Sequence, residues 1–558
     1  MDTPRPRGIV VFGGGTATNS LVDVFEDLRK SRHCTLSYII PISDNGGSSS
    51  ELIRVFGGPG IGDIRSRLVR LIPESDTDLG GASVKELFNH RLSPDPLQAR
   101  SEWLDIVEGR HKIWANVASE KRELIRSIFN LMNLEIVKRA RPSSVFNFSK
   151  ASIGNLFLTG ARVFTGSLES AIYLLSTICG IPPTVTALPA INSNFTHHIS
   201  AGLADGTQIT GQNAISHPSA PTALPDDPAL AMGTGTGMGM DDRLQWETEA
   251  HDRIEDATLP GSLPSLRKQY INFSKGGPSS SGTSTPKGDS SNSSKRAGTS
   301  SANNSDTGAL ETPHGPALEL ATEPAAETEE REEDQQEDLP SRIERIWYIN
   351  PYGHEIWPLA NSKVVSALEA ASVVIYSIGS LYTSLVPSLV LRGVGAAIAS
   401  NSSSSPPASS SSSGVSSAVS RLRPKVLILN SSVDRETGPM ANPMTATDFV
   451  RAIARAAAGE GKRRRDGQEQ GQRQGQGENV EAEVEVRKYV THLLYMEGEG
   501  VPRVHKEELA ALGVDCIRVY GRRVDGMLRY DEAGLARALE AVVGKHEVFR
   551  SRRNTSGQ

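Results

Sequence analysis

Gly8-Ile9-Val10-Val11-Phe12-Gly13-Gly14-Gly15-Thr16-Ala17-Thr18 is an apolar, β-branched run broken by three glycines and followed by a helical pattern near Asn19. A strand of that composition is buried on both faces, as in a parallel sheet. Glycines at such a turn let backbone N–H groups approach an anion, and a helix N-terminus behind them adds a favourable dipole. The spacing is G-x-G-x-x-T, with Thr18 in place of a third glycine and no Gly-Lys-Ser/Thr ending. It therefore supports phosphate binding at Gly13, Gly14, Gly15 and Thr16 without supporting NAD use or ATP hydrolysis. A tight strand-to-helix turn without a ligand is the alternative reading.

The same grammar recurs downstream. A second strand pattern, Leu36 to Ile42, ends in Ser43-Asp44-Asn45-Gly46-Gly47-Ser48-Ser49-Ser50. At the carboxyl edge of a parallel sheet this sets a carboxylate, an amide and several hydroxyls beside the first loop, where ligands of such sheets bind. Asp44 suits a Mg²⁺ ligand, a ribose contact or a general base, and Asn45 to Ser48 suit phosphate oxygens. The run also reads as an N-cap series for a helix entering at Glu51. A third stretch, Gly57-Gly58-Pro59-Gly60-Ile61-Gly62, leads into Asp63-Ile64-Arg65-Ser66-Arg67. Arginine forks recognise phosphate, so Gly62, Asp63 and Arg65 join the site, Asp63 as a second metal ligand or base. Arg67 and Arg70 are read as surface arginines. Later pieces fit the same edge: Gly154-Asn155 opening a helix, Gly379-Ser380 after a strand at Val373, and Asn430 at the end of a strand beginning at Lys425. Asn155, Gly379, Ser380 and Asn430 are accordingly assigned to ligand binding, with structural capping as the competing role for each.

Strand and helix patterns alternate across the foldable chain, predicting an α/β fold with a Rossmann-like, mostly parallel sheet flanked by helices. Further strands are expected at Ile343 to Ile349, Tyr489 to Leu494 and Cys516 to Val519, and a hairpin around Asp205-Gly206. Residues 83–140 read as helix only, an inserted layer. The N-terminal half, 1–219, and the C-terminal half, 341–558, are separated by a low-complexity stretch, 220–340, expected to be disordered. Shorter disordered loops are expected near 400–420 and 460–482.

Composition narrows the function classes. With 37% hydrophobic and 5% aromatic residues over 558 positions, the chain is too lean to fold throughout. A net charge of -6 supplies no global field for nucleic acid or an anionic membrane, so neither is expected as a partner. Cys34, Cys179 and Cys516 are odd in number, widely spaced and set in apolar surroundings, which reads as buried thiols in a reducing compartment. No apolar run approaches the roughly 18 residues of a membrane span. The cytoplasm is the expected location, with the nucleus left open by the basic run Lys462 to Arg465. His197-His198 lacks partners at zinc spacing and is read as part of the hairpin.

Taken in order, Gly13-Gly14-Gly15-Thr16, Asp44-Asn45-Gly46-Gly47-Ser48, Gly62-Asp63-Ile64-Arg65, Gly154-Asn155-Leu156 and Gly379-Ser380-Leu381-Tyr382-Thr383-Ser384 resemble the motifs of the 2-phospho-L-lactate transferase (CofD-like) family, which includes the gluconeogenesis-factor (YvcK-like) proteins. The resemblance spans Gly8 to about Ala458 and is weakest over Ser83 to Ala140. It implies a nucleotide diphosphate or nucleotide sugar at this sheet edge. In transferase members a phospholactyl-type group passes to a deazaflavin alcohol with Mg²⁺; in the other branch a UDP-sugar is bound by a metabolic regulator. The Asp44-Asn45-Gly46-Gly47-Ser48 form is closer to the regulatory branch, and Ala17 stands where the family usually has glycine. The leading expectation is a UDP-sugar-binding regulator, compatible with a homodimer. A Mg²⁺-dependent transferase using Asp44, Asp63 and Arg65 is the second, and an interaction scaffold built on the low-complexity tracts is the third.

Overall fold

Gly8–Phe12 (β1) is buried at every position and runs parallel to a strand on each side. The computed structural model describes residues 8–43, 48–73, 79–141, 144–216, 338–400, 423–469, 484–524 and 526–554. These fall in one unit built from Met1–Gln269 together with Gln336–Gln558. Asp44, Asn45, Gly46, Gly47 and nearly all of 220–340 lie outside the described residues.

Among the described residues, Leu36–Ile40 (β2) and Val185–Pro189 (β3) extend the sheet on one side of β1, and Ala371–Tyr376 (β8), Lys425–Ile428 (β9), His492–Tyr495 (β10) and Asp515–Arg518 (β11) extend it on the other. The order is β11-β10-β9-β8-β1-β2-β3, and every pair is parallel. The α/β parallel sheet expected from the strand pattern is therefore present. Its winding reverses between β1 and β8: the chain first moves outward through β2 and β3, then returns to β8 and proceeds the other way. Such a switch point leaves a crevice outside the carboxyl ends of the two central strands. Covered strands must be apolar throughout, and Val373, Val374, Ile375 and Tyr376 of β8 have no exposed surface. Phe12 stacks on Tyr376 with ring centroids 5.6 Å apart, joining the ends of β1 and β8 just beneath the crevice.

Ile343–Ile349 (β6) departs from its expected place. It pairs antiparallel with His198–Leu203 (β4) in a separate sheet that also holds Gln208–Thr210 (β5) and Glu355–Ile356 (β7). Ile346 and Tyr348 are buried while the alternate residues Arg345 and Trp347 are exposed and half-buried, so β6 keeps one wet face. An antiparallel sheet allows that and a doubly covered parallel strand does not. β4 and β5 form the hairpin anticipated around Asp205-Gly206.

Thr16–Asn19 (α1) and Val22–Arg32 (α2) connect β1 to β2, and Ser48–Phe56 (α3) and Gly62–Arg70 (α4) follow β2. The next helices, Leu79–Asn89 (α5), Pro96–Glu108 (α6) and Ser119–Arg139 (α7), occupy the stretch read as helix only. The sequence writes the bounds of α6 directly: the Asp95 carboxylate accepts from Gln98 N–H, Pro96 takes the first position, and Gly109 closes it at φ 82°. Trp103 and Phe129 of this layer and Phe157 of Ile153–Thr165 (α8) bury their rings edge to face, each worth about 1.5–3 kcal/mol of transfer free energy. Leu168–Ile178 (α9) returns the chain to β3. The helix Ala446–Glu469 passes through Lys462 to Arg465, which the composition placed in a loop; its alanines, arginines and glutamate favour helix. No described helix is long and apolar enough to cross a membrane.

Candidate functional site

The loop after β1 is shaped by its side chains as much as by its glycines. Thr18, the residue in place of a third glycine, is buried and donates its hydroxyl to Ile378 O at 3.0 Å, tying the β1 loop to the end of β8. A Cβ at Gly13 would sit 2.2 Å from that hydroxyl, so the threonine is what requires the glycine. Gly14 and Gly15 lie against the Asp63 carboxylate: a Cβ at Gly14 would come 2.7 Å from Ser384 Oγ and 3.0 Å from Asp63 Oδ2, and one at Gly15 2.5 Å from Asp63 Oδ1. Loop, α4 and the segment after β8 thus meet at van der Waals distance. α1 is only one turn long before the chain breaks at Ser20-Leu21, so the dipole expected behind the loop is that of a single turn. Direct donors matter more. Gly14 and Gly15 are buried, and no described residue accepts from the N–H groups of Gly14, Gly15 or Thr16. Buried backbone donors are nearly always paired, so an unpaired set marks a place where something else accepts.

Beneath the loop lies a residue the sequence reading placed at the surface. Arg67 is fully buried; its Nη2 donates to Gly14 O at 2.7 Å and its guanidinium covers the Tyr38 ring 4.4 Å from the centroid. It shares the buried side of α4 with Ile64 and Leu68, whereas Arg70 pairs at the surface with Asp23. Desolvation lowers Arg67 to about 10, with Tyr38 and Asp63 opposing the shift, so it stays protonated at neutral pH. Arg65 is likewise lowered to about 10, by desolvation and by Arg91.

The wall after β8 is built differently. Gly379, at φ 139°, has both backbone polar groups taken by one side chain: its N–H donates to Asn430 Oδ1 at 3.0 Å and Asn430 Nδ2 donates to its carbonyl at 2.9 Å. Ser380 is half-buried and precedes a π-helical turn, Leu381–Leu385. There Tyr382 N–H and Thr383 N–H donate to Glu436 Oε2 at 2.8 and 3.1 Å, and the Thr383 hydroxyl pairs with Oε1. Glu436 is buried on a short 3₁₀ turn, Arg435–Thr437. It was not among the expected site residues; nothing in its local sequence signals a contact with a segment more than fifty residues away.

Asn155 is buried and bridges α3, α4 and α8: Arg65 Nε donates to its Oδ1 at 3.3 Å and its Nδ2 donates to Ser49 Oγ at 3.4 Å. Arg65 also reaches Asn89 at 3.5 Å. The Gly57-Gly58 loop is clasped from below by Arg162 of α8, which donates to Gly57 O at 2.8 Å. Gly62 begins α4, Thr16 is exposed, and Ser48 begins α3.

A second polar cluster lies in the helical layer, where ligand atoms of His90, Glu102 and His111 fall within 4.8 Å of one another. His90 Nε2 and Glu102 Oε1 are 2.6 Å apart, and Glu102 Oε2 accepts from Ser93 N–H at 2.9 Å. His111 Nδ1 accepts from Ile113 N–H at 3.2 Å, which leaves the proton of the neutral ring on Nε2, facing Glu102 at 3.7 Å. The lone pair a metal would need is therefore committed. The His90–Glu102 hydrogen bond, with His111 packed beside it, joins the end of α5 to α6 and the turn at Lys112–Trp114.

Fold and crevice together describe a doubly wound α/β protein whose switch point is lined by backbone donors. The chain belongs to the 2-phospho-L-lactate transferase CofD family, whose model matches residues 9–405. It is 36% identical over 460 residues to an uncharacterized protein of Saccharomyces cerevisiae, YNL011C, covering 81% of this chain and 84% of that one. It is also 25% identical over 211 residues to a gluconeogenesis factor of Halalkalibacterium halodurans, which spans 38% of this chain and 46% of the relative. A crystal structure of a UPF0052-family protein from Bacillus halodurans superposes with a TM-score of 0.47 at 16% identity, over 95% of this chain and 99% of that one. The family resemblance drawn from the ordered motifs is thus borne out.

Proposed function

We propose that the chain binds the diphosphate of a nucleotide or nucleotide sugar, a UDP-sugar first, at the β1–β8 switch point and serves in metabolic regulation. The observation that carries this is the unpaired N–H set of the buried Gly14 and Gly15 and the exposed Thr16, beside a half-buried acid and above a protonated arginine. Backbone donors of this kind complement phosphate oxygens. A ligand that binds only the folded chain raises its melting temperature by mass action. UDP-sugars titrated into the full chain are expected to do so, and the absence of a shift with every nucleotide diphosphate tried would sink the reading.

The Asp63 carboxylate touching the loop favours a second reading, a Mg²⁺-dependent transferase moving a phospho-carboxylic acid group from a nucleotide-linked donor to an alcohol. A carboxylate oxygen is a fitting ligand for this hard cation, and Asp63, with Asp44 from outside the described residues, would hold it. When bound, Mg²⁺ supplies charge neutralisation at the phosphates. Asp63 and the loop donors would position the phosphorus for in-line attack, and Arg65 would supply positive charge from the neighbouring turn of α4. Release of a nucleoside monophosphate from such a donor, dependent on an acceptor alcohol and on Asp63, would establish this reading over the first.

A further inference from the structure

Two arginines of α4 differ in what surrounds them, and the difference bears on which cation serves the loop. Arg65 is bound to two asparagine side chains. Arg67 donates from Nη2 to Gly14 O of the loop, and its Nε and Nη1 have no hydrogen-bond partner among the described residues although it is fully buried. Leaving donors of a buried cation unpaired is costly. The groups facing it are the Tyr38 ring, Gly14, Asp63 and the more distant Arg70, so Asp63 is the acid that opposes its charge, and that acid is itself half-buried at the loop. Across a trans peptide the carbonyl and the following N–H point in opposite directions. Holding Gly14 O toward Arg67 therefore turns Gly15 N–H away from it.

We infer that Arg67 is the positioning cation of this site: it orients the Gly14–Gly15 peptide so that its N–H faces the ligand, and its buried charge selects an anionic group there over a neutral one. The inference rests on the reading of the loop as a phosphate site. It goes beyond that reading in assigning the selectivity to a residue that touches no ligand. A charge in the interior is little screened by salt, so its effect on an anion differs from that of a surface arginine.

The test uses the full chain, inorganic pyrophosphate as probe, and Arg67→Lys and Arg67→Gln. Lysine keeps the charge and a donor; glutamine keeps a donor to Gly14 O and removes the charge. Expected is pyrophosphate binding by the wild type, retention within a few-fold in Arg67→Lys, and weakening of about tenfold or more in Arg67→Gln, as for loss of a charge-assisted contact. The Arg67→Gln deficit should persist at high salt, and the ligand-free melting temperature should not fall with it, since removing an incompletely paired buried charge need not destabilise. A purely structural strut predicts the opposite pair of results: both variants melt lower and lose affinity alike, which overturns the inference. Wild-type affinity in Arg67→Gln also overturns it while leaving the phosphate site standing. No pyrophosphate binding by the wild type removes the site reading and the inference with it.

Discussion

The two walls of the crevice share one pattern of strand, glycine and helix, yet they present opposite chemistry. After β1, Gly14, Gly15 and Thr16 keep their N–H groups unpaired among the described residues and a buried cation lies behind them. After β8, Glu436 has taken Tyr382 N–H and Thr383 N–H, and Asn430 has closed both polar groups of Gly379. An anion-binding turn specifies donors without specifying the acceptor. At one wall the acceptor is left to come from outside, and at the other the chain supplies its own.

The largest effect should come from emptying the filled wall. Glu436→Ala leaves two buried N–H groups and the Thr383 hydroxyl without their acceptor. With unsatisfied buried donors costing about 1–3 kcal/mol each, urea unfolding should show a loss of about 3 kcal/mol or more. A loss below about 1 kcal/mol would break the claim that this wall is held by the carboxyl group.

Crowding the open wall is next. A methyl group at Gly15 meets not only Asp63 Oδ1 but also Asp63 Cα, at 3.1 Å, and backbone there has little room to yield. Gly15→Ala should cost about 1–3 kcal/mol of stability, as overpacking does, and abolish any nucleotide-diphosphate melting shift. A preserved shift would place the ligand elsewhere.

A pH series sharpens the contrast. Burial, reinforced by the charge of Asp434, raises Glu436 above its ordinary 4.5, outweighing the hydrogen bonds from Thr383 and Tyr382. Below 4.5 the acid is protonated in both folded and unfolded chains, and its stabilising contribution is complete. As pH climbs, the unfolded chain ionises first, so the contribution is lost progressively up to the raised folded value. Stability should fall across that window by at most about 1.4 kcal/mol per pH unit, and Glu436→Gln should flatten the fall. An unchanged profile in the variant would show that the carboxyl group ionises as freely in the folded chain as in the unfolded one.

The smallest effect belongs to Arg70, one turn beyond Arg67 and paired with Asp23 at the surface. Arg70→Ala should change stability by less than about 1 kcal/mol and leave ligand shifts untouched. A loss of ligand response there would shift the electrostatic role away from the buried arginine.

Much of this architecture was legible in advance. Continuous apolar runs such as Val10 to Phe12 and Val373 to Tyr376 announce doubly covered strands, and the glycine turn after each announces where a crevice lies. The misplacement of β6 came from reading it as another apolar run, although Arg345, alternating with Ile346 and Tyr348, already signals a wet face. Arg67 was missed for a subtler reason. An arginine near Ser66 and Arg70 on a polar helix resembles a surface residue, and only the seat beneath Gly14 and over Tyr38 shows that α4 turns this position inward.

What the sequence determined by itself is the inventory of short-range devices: which runs are buried, where glycine permits close approach, where Asp95 and Gly109 start and stop a helix. These depend on neighbours within a turn or two, so local chemistry suffices. Which glycine wall stays open was decided by tertiary structure alone. That choice depends on where Glu436 and Arg67 arrive after the sheet has wound both ways from β1, bringing one buried polar side chain to each wall from distant points of the chain. No local pattern encodes such a meeting, because its energy arises only when both partners are desolvated together.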